Sequence, residues 1–273
     1  MKNLKRSILA VAGTAAAFAA LAPSAFAGVV DYQSTATFSI PDGTDNGGIP
    51  SQVNVPKGRT NVQKIELVNI KPVYSTGGGG FELFFYGNKP ATAGVSVLSS
   101  NCPTIPNTTS VTLSDANTTP AQQVTCPQLA NGQLQPTSPL SAFAGGPSAG
   151  TWTVGVRDIG LIAGGGSWGG WTLRLTHAAP KITGTATKQK LAKTLSLSVT
   201  PDANGKVTVG GAAKPGAATA VVQNQPATIP FSLTGKAKKR IKRKGKGTVQ
   251  VAVTLNDETK GTATVTVPVK VKK

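Results

Sequence analysis

The chain of 273 residues contains one histidine and only ten acidic residues, and these shortages exclude most hydrolytic chemistry. Serine hydrolysis of the subtilisin type needs a serine nucleophile, a histidine base and an orienting aspartate. The lone histidine, His177, ends a strand-like segment, where a solvated position is the ordinary expectation, and no Gly-Thr-Ser nucleophile turn is present. Paired-carboxylate hydrolysis needs two acids in different environments, for which the acids are too sparse. We therefore expect no enzymatic activity from this chain alone.

Long apolar runs are absent after the first 27 residues. Those residues combine a basic start, a short apolar run and a final A-x-A pattern, which is typical of a cleaved secretory signal peptide. The residues concerned are Lys2, Lys5 and Arg6, the apolar residues 8 to 21, and Ala25 and Ala27. An uncleaved membrane anchor is the alternative, but the run is short and no later segment approaches the roughly 18 residues that span a bilayer. We expect a secreted, extracellular or cell-surface protein with no transmembrane segment after cleavage.

Cysteine is limited to Cys102 and Cys126. In an exported chain, a single pair of cysteines predicts a disulfide. It would close a loop of about 25 residues and contribute roughly 3.5 kcal/mol. A metal site would need further ligands of the right type nearby, and the neighbouring sequence has none.

Positive charge is confined to one part of the chain. Between Gly28 and Pro180, seven basic residues balance seven acidic ones, whereas residues 181 to 273 contain eighteen basic residues against three acidic ones. The change predicts three parts, namely a signal peptide at 1–27, a first module at 28–180 and a basic second module at 181–273. About 246 mature residues suffice for two cores.

Apolar and polar residues alternate in short segments in both modules, and Gly, Pro, Asn or Asp separate the segments. Examples are TWTVGVRD and WTLRLTH in the first module and TLSLSVTP and GTVQVAVTLND in the second. This pattern predicts strands and turns, and therefore an all-β protein. The exception is residues 236 to 246, where Ala237 and Ile241 have the i, i+4 spacing of a one- or two-turn helix.

All three tryptophans lie within twenty residues, among glycines. We expect Trp152 and Trp171 to point into a core, where each would bury on the order of 150 to 250 Å². Trp168 lies in the turn between two strands, and both packing over the sheet edge and a surface contact stay open for it. Gly150 and the glycines at 164–166 are expected to form the tight reversals.

The segment from Leu140 to His177 resembles the closing half of the P domain, or Homo B domain. That domain follows the catalytic domain in kexin- and furin-type proprotein convertases and in many bacterial subtilisin-like proteases. The matching residues are Ser141-Ala142-Phe143, Gly150-Thr151-Trp152-Thr153, Arg157-Asp158 and Trp168-Gly169-Gly170-Trp171-Thr172-Leu173, together with Ile40-Pro41-Asp42 and Asn46-Gly47-Gly48 in the opening half. The family's middle His and Asp are missing here. The resemblance implies a jelly-roll-like, galactose-binding-like β-sandwich and an association with a serine-type endopeptidase.

The basic module resembles lysine-rich β modules at the C-termini of secreted actinobacterial proteins. The resemblance rests on Lys188-Gln189-Lys190-Leu191 and on the segment from Leu233 to Ile241. It implies a small immunoglobulin-like β-sandwich of about 90 residues.

Three aspartates are candidate metal ligands. Asp42, Asp45 and Asp158, with main-chain carbonyls, would suit calcium, which takes six to eight oxygen ligands. Aspartates in Gly-rich segments also serve as ordinary turn formers, and that alternative stays open for Asp42 and Asp45. No other cofactor is predicted.

Eight of the eleven residues from 236 to 246 are basic, which is enough to attract anionic polymers. They are Lys236, Lys238, Lys239, Arg240, Lys242, Arg243, Lys244 and Lys246. An anionic cell-envelope polymer fits an exported protein better than nucleic acid, because no aromatic platform accompanies the charges. A solvated helix that serves only solubility is the alternative. We expect a secreted, non-catalytic accessory protein that binds or stabilises a partner at the cell surface, or one that serves a separate subtilisin-like protease.

Overall fold

A computed structural model describes residues 24–41, 48–56, 60–74, 80–88, 94–102, 104–105, 109–122, 124–159 and 166–273. Almost every regular element in these ranges is a strand, so the predicted all-β fold is confirmed. Most of the predicted signal peptide, residues 1 to 23, lies outside the described residues.

In the described chain up to His177, the helices are short. They are α1 (Cys126–Asn131) and a 3-10 helix (Leu140–Phe143). The strands are β1 (Ser24–Phe26), β2 (Val29–Ser34), β3 (Phe38–Ile40), β4 (Ile49–Val55), β5 (Val62–Ile70), β6 (Pro72–Tyr74), β7 (Phe81–Gly87), β8 (Val95–Ser100), β9 (Val111–Leu113), β10 (Gln133–Leu134), β11 (Gly150–Asp158), β12 (Gly166–Trp168) and β13 (Trp171–His177).

The second half contains one helix among longer strands. The helix is α2 (Gly235–Lys244). The strands are β14 (Ile182–Thr185), β15 (Gln189–Lys190), β16 (Leu195–Pro201), β17 (Gly205–Gly211), β18 (Thr219–Val221), β19 (Ala227–Phe231), β20 (Lys246–Asp257) and β21 (Thr262–Lys272).

Two large sheets and one small sheet form the first half. Their strand orders are β10-β9-β5-β13-β2, β4-β11-β7-β8 and β3-β12-β6. The period of two along a strand places alternate side chains on opposite faces. In β7, for example, Phe81, Leu83 and Phe85 are fully buried while the residues between them are only partly covered. The apolar side chains of the alternating pattern therefore form the inner faces of a sandwich.

All three tryptophans are buried in this core. The ring of Trp152 stacks on Phe85 with centroids 5.9 Å apart, and its Nε1 donates to the Ser148 carbonyl at 2.7 Å. Trp171 lies inside as predicted. The open question about Trp168 is resolved in favour of packing, because its ring is buried and stacks on Phe38 with centroids 6.2 Å apart.

The second half is a sandwich of two sheets. One has the order β21-β20-β17-β18, with β15 paired in parallel to β21, and the other has the order β14-β16-β19. β20 and β21 form a long antiparallel hairpin. Its tight turn is held by Asp257, whose Oδ1 accepts hydrogen bonds from the main-chain N–H groups of Thr259 at 2.9 Å and Gly261 at 2.6 Å.

The buried apolar side chains form two separate clusters. One runs from Ile40 to Leu175 and the other from Ile182 to Val271. The predicted module boundary, between Pro180 and Lys181, falls between these two clusters.

Strand β1 lies within the segment predicted to be removed as a signal peptide. In the full chain it pairs antiparallel with residues 262 to 264 of β21, at the edge of the second sandwich. Phe26 is 65% exposed there, so β1 adds main-chain pairing and little core. Cleavage after Ala27 stays a prediction.

Candidate functional site

The basic helix α2 is anchored by a small apolar face. Ala237 and Ile241 are its buried residues, as their i, i+4 spacing predicts. The helix has ten residues, or nearly three turns, so the predicted length of one or two turns was too short. The Thr234 side chain accepts from the Ala237 N–H at 3.3 Å as the N-cap, and Gly245 ends the helix with a φ of 74°. The Thr234 cap satisfies one of the main-chain N–H groups that are left without a partner at the start of a helix.

The outer face of α2 is continuously cationic. Lys236, Lys239 and Arg243 follow one another at spacings of three and four residues, so they share one exposed face. Lys242 and Lys244 are also exposed, and Lys238 is half-buried. Like charges at these spacings repel each other and weaken an isolated helix. The helix therefore depends on its caps and on Ile241.

One of the eight predicted polymer-binding residues has a structural role in addition. The guanidinium of Arg240 donates from Nη2 to the Thr248 carbonyl at 2.9 Å, which fastens α2 to the start of β20. In the described part of the chain, none of the eight cations lies within ion-pair distance of a carboxylate. Their charges are therefore available to an external anion.

Strand pairing adds cations that the sequence analysis did not assign to this surface. Lys272 on β21 lies opposite Lys246 on β20 and, on its other side, opposite Lys190 on β15. All three side chains are exposed. Lys190 and Lys272 are 82 positions apart in the chain, so only the β pairing reveals their proximity.

The acids of the second sandwich lie at its opposite end. Asp202 accepts from the Lys181 N–H at 2.6 Å, Asp257 holds the β20–β21 turn, and the Glu258 N–H donates to the Asn204 carbonyl at 3.3 Å. The strand β20 runs from Lys246, next to α2, to Asp257 at the acidic end. At the usual rise per strand residue, these two ends of the module are about 35 Å apart. The acids of the module thus lie at the end away from α2.

The predicted calcium ligands are only partly described. Asp158 ends β11 with a side chain that is 3% exposed, whereas Asp42 and Asp45 lie outside the described residues. Within the described ranges, no three His, Cys, Asp or Glu side chains are grouped closely enough to hold a metal ion. Calcium binding by the three aspartates therefore stays a prediction.

The predicted disulfide is not present in the structure, where both cysteines are free thiols. Cys102 is buried and Cys126, at the start of α1, is exposed. Burial raises the pKa of the Cys102 thiol to about 11, and a hydrogen bond with Cys126 adds to the rise. The predicted pairing is therefore wrong for this structure, although both cysteines line the same surface pocket.

His177 is fully buried, so the expectation of a solvated strand end was wrong. The ring Nδ1 of His177 lies 3.0 Å from the Thr60 carbonyl oxygen, and the main-chain N–H of His177 donates to the Gly28 carbonyl at 2.8 Å. The residue sits where β13 pairs with β5, inside the sandwich. Its position at the end of a strand suggested exposure to solvent. Other segments of the chain cover this end of the strand, and the local sequence does not reveal them.

Comparisons with known proteins add little to this geometry. No family model matches the chain, and no curated protein matches it either. Among solved structures, the chain is similar to the crystal structure of the adhesin domain of Epf from Streptococcus pyogenes, with 9% identity and a TM-score of 0.30. The alignment covers 91% of this chain and 80% of that chain. So distant a likeness carries no functional argument. Among the described residues, no helix is long and apolar enough to cross a membrane.

Proposed function

We propose that the protein is an exported, non-catalytic binding protein whose second module holds anionic polymers of the cell envelope. The observation that carries the proposal is the exposed face of α2, where Lys236, Lys239 and Arg243 have no carboxylate partner among the residues that the structure describes. A polymer that neutralises several such cations releases its counterions, and this release drives binding that weakens as salt increases. The anchoring of α2 by Ile241 and Arg240 presents the charges on a fixed scaffold.

A second candidate function concerns the first module. The resemblance of Leu140 to His177 to the P domain supports a role in stabilising a separate subtilisin-like protease. The module's basic and acidic residues are balanced in number, and it has a dense core that includes Trp152, Trp168 and Trp171. A well-packed, near-neutral sandwich is suited to docking on another protein rather than to binding a polyanion. Calcium held by Asp42, Asp45 and Asp158 would belong to this module.

The test of polymer binding is co-sedimentation of the full chain with cell walls at several salt concentrations. The key variant replaces Lys236, Lys239 and Arg243 with glutamine. Its matched control replaces Lys181, Lys206 and Lys260, three exposed cations away from α2, and so removes the same net charge. We expect the wild type and the control to bind in a salt-sensitive way and the α2 variant to lose most of its binding.

The salt dependence gives a second measure. If each removed cation contacts one anionic group, the slope of log K against log salt falls by roughly two to three. Equal binding by all three proteins would contradict the proposal and favour the protease-associated candidate, which predicts a higher yield of a subtilisin-like enzyme in the presence of this chain.

A further inference from the structure

We infer that the bound polymer is a linear phosphate-bearing polyanion that crosses the strands of the second module along the lysine row, defined as Lys190, Lys272 and Lys246, before it reaches α2. This inference rests on the proposed function and adds a ligand class and a path to it. The row is assembled by strand pairing and is therefore a feature of the folded module alone.

The geometry of the row follows from the register. Residues that are directly opposite on paired strands point to the same face of a sheet, and their Cα atoms lie about 4.5 to 5.5 Å apart. Lys272 is the common partner of Lys190 and Lys246. The row thus presents three lysine side chains on one face of the sheet, with their Cα atoms about one strand spacing apart.

Such a row opposes folding, because like charges placed directly opposite each other repel. The other end of the same strand pair shows the neutral alternative. There, Thr254 and Thr264 lie opposite each other and share a hydrogen bond of 3.0 Å between their hydroxyl oxygens. The same two strands therefore carry compatible residues at one end and repelling residues at the other, which indicates that the cationic end is used for binding.

The row continues into α2 without a gap. Lys246 follows the helix C-cap, Gly245, and the main-chain N–H of Lys273 donates to the Gly245 carbonyl at 2.7 Å. Two strand spacings of about 4.8 Å each and ten helical residues at 1.5 Å each give a cationic track of about 25 Å. A track of that length fits a polymer with several charged units and is far larger than a single anion.

The row consists of lysines alone. It therefore lacks the planar guanidinium fork that binds carboxylates and phosphates alike at two points. Lysine instead acts as a compact point charge with rotatable donors and is a common partner of phosphate. A phosphate chain, in which every unit carries negative charge, offers such donors a regular series of acceptors.

The test compares three full-length variants with the wild type by isothermal titration calorimetry. The row variant is Lys190→Gln, Lys246→Gln and Lys272→Gln, and the other two are the α2 variant and the matched control at positions 181, 206 and 260. The probes are long-chain inorganic polyphosphate, tripolyphosphate, a phosphodiester polymer purified from cell walls, and polyglutamate of length matched to the long chain.

The expected result is that the row variant loses tenfold or more of its affinity for long-chain polyphosphate, with little change for tripolyphosphate, while the control binds normally. Tripolyphosphate is too short to use the whole track. The two phosphate polymers distinguish a free polyphosphate from an envelope polymer as the source of the phosphate. The row variant should also melt higher than the wild type, by roughly 2 to 5 °C, because the repulsion is removed.

Three results would overturn the inference. If the row variant binds normally while the α2 variant fails, the lysine row is not part of the site, although the proposed function stands. If polyglutamate binds as tightly as polyphosphate, the assignment to phosphate is wrong. If the row variant binds normally but aggregates, its lysines serve to protect the sheet edge. Failure of the proposed function would appear differently, as normal binding by the α2 variant and the row variant together.

Discussion

Trp171 Nε1 donates a hydrogen bond of 3.1 Å to the Ser51 hydroxyl, and this bond joins the two large sheets of the first sandwich. Trp171 lies on β13 and Ser51 on β4, and the Ser51 Oγ also lies 3.0 Å from the Ser34 Oγ of β2. All three residues are buried. The facing sheet thus supplies an acceptor for the indole N–H of this buried ring.

Replacing Ser51 with alanine should lower the free energy of unfolding by about 1 to 3 kcal/mol, because a buried indole N–H would lose its acceptor. Urea unfolding followed by tryptophan fluorescence measures the change. Ser39→Ala, at an exposed position of β3, is the control and should leave the midpoint unchanged. If Ser51→Ala were as stable as the wild type, the bond would not link the sheets in the way described.

Replacing Ile241 with alanine should destabilise the second sandwich by about 2 to 5 kcal/mol, since the side chain is fully buried under α2. Calorimetric unfolding should show a lower melting temperature for this variant. Lys239→Ala, two residues earlier and on the exposed face, should alter stability by less than about 0.5 kcal/mol and yet weaken polymer binding. Equal effects of the two substitutions on stability would show that α2 is not anchored through Ile241.

Thiol titration distinguishes the two cysteines. Cys126 is exposed and should react readily with a disulfide reagent at neutral pH, whereas Cys102 is buried with a pKa near 11 and should react only after denaturation. The expected result is one reactive thiol per folded chain and two per unfolded chain. If no thiol reacted until a reductant was added, the protein would contain the disulfide that the sequence predicts.

The ion pair between Arg174 and Asp31 should make stability depend on acid pH. The Arg174 guanidinium donates to both Asp31 oxygens at 2.8 Å, and this bond holds the pKa of Asp31 below its ordinary value. A lowered folded-state pKa stabilises the protein above the unfolded value of about 3.9, and this stability is lost as the pH falls through the folded pKa.

The variant Arg174→Gln should therefore be less stable than the wild type at pH 7 by roughly 0.2 to 1 kcal/mol, as expected for an exposed pair. The difference should vanish in acid, once Asp31 is protonated. Urea unfolding of both proteins across this pH range makes the comparison, with Asp31→Asn as the matched partner variant. A difference that persisted unchanged in acid would assign the effect to packing of the Arg174 stem.

The local pattern of the sequence was sufficient to predict the all-β fold, the inward orientation of Trp152 and Trp171, and the basic helix. Alternation of apolar and polar residues depends only on the geometry of a single strand. The segments TWTVGVRD and WTLRLTH could therefore be predicted as strands from their own residues. The spacing of Ala237 and Ile241 likewise reports one helical face. The length of α2 was underestimated because the spacing of Ala237 and Ile241 covers little more than one turn, whereas the helix extends from the N-cap Thr234 to the C-cap Gly245.

Features that depend on distant segments were predicted less well. His177 looked exposed because it ends a strand, but the segments containing Thr60 and Gly28 cover it. The burial of Trp168 depends on the position of β12 between β3 and β6, which the local sequence does not specify. Both outcomes depend on neighbours more than 90 positions away in the chain, and periodicity within one segment carries no information about them.

The sequence by itself determined the all-β character, the concentration of positive charge after residue 180 and the amphipathic helix, because each is a property of adjacent residues. Only the tertiary structure decided the lysine row and the segregation of the acids to the other end of the second sandwich. Those depend on strand register, and register is fixed by the burial of one face of each strand across the whole sheet.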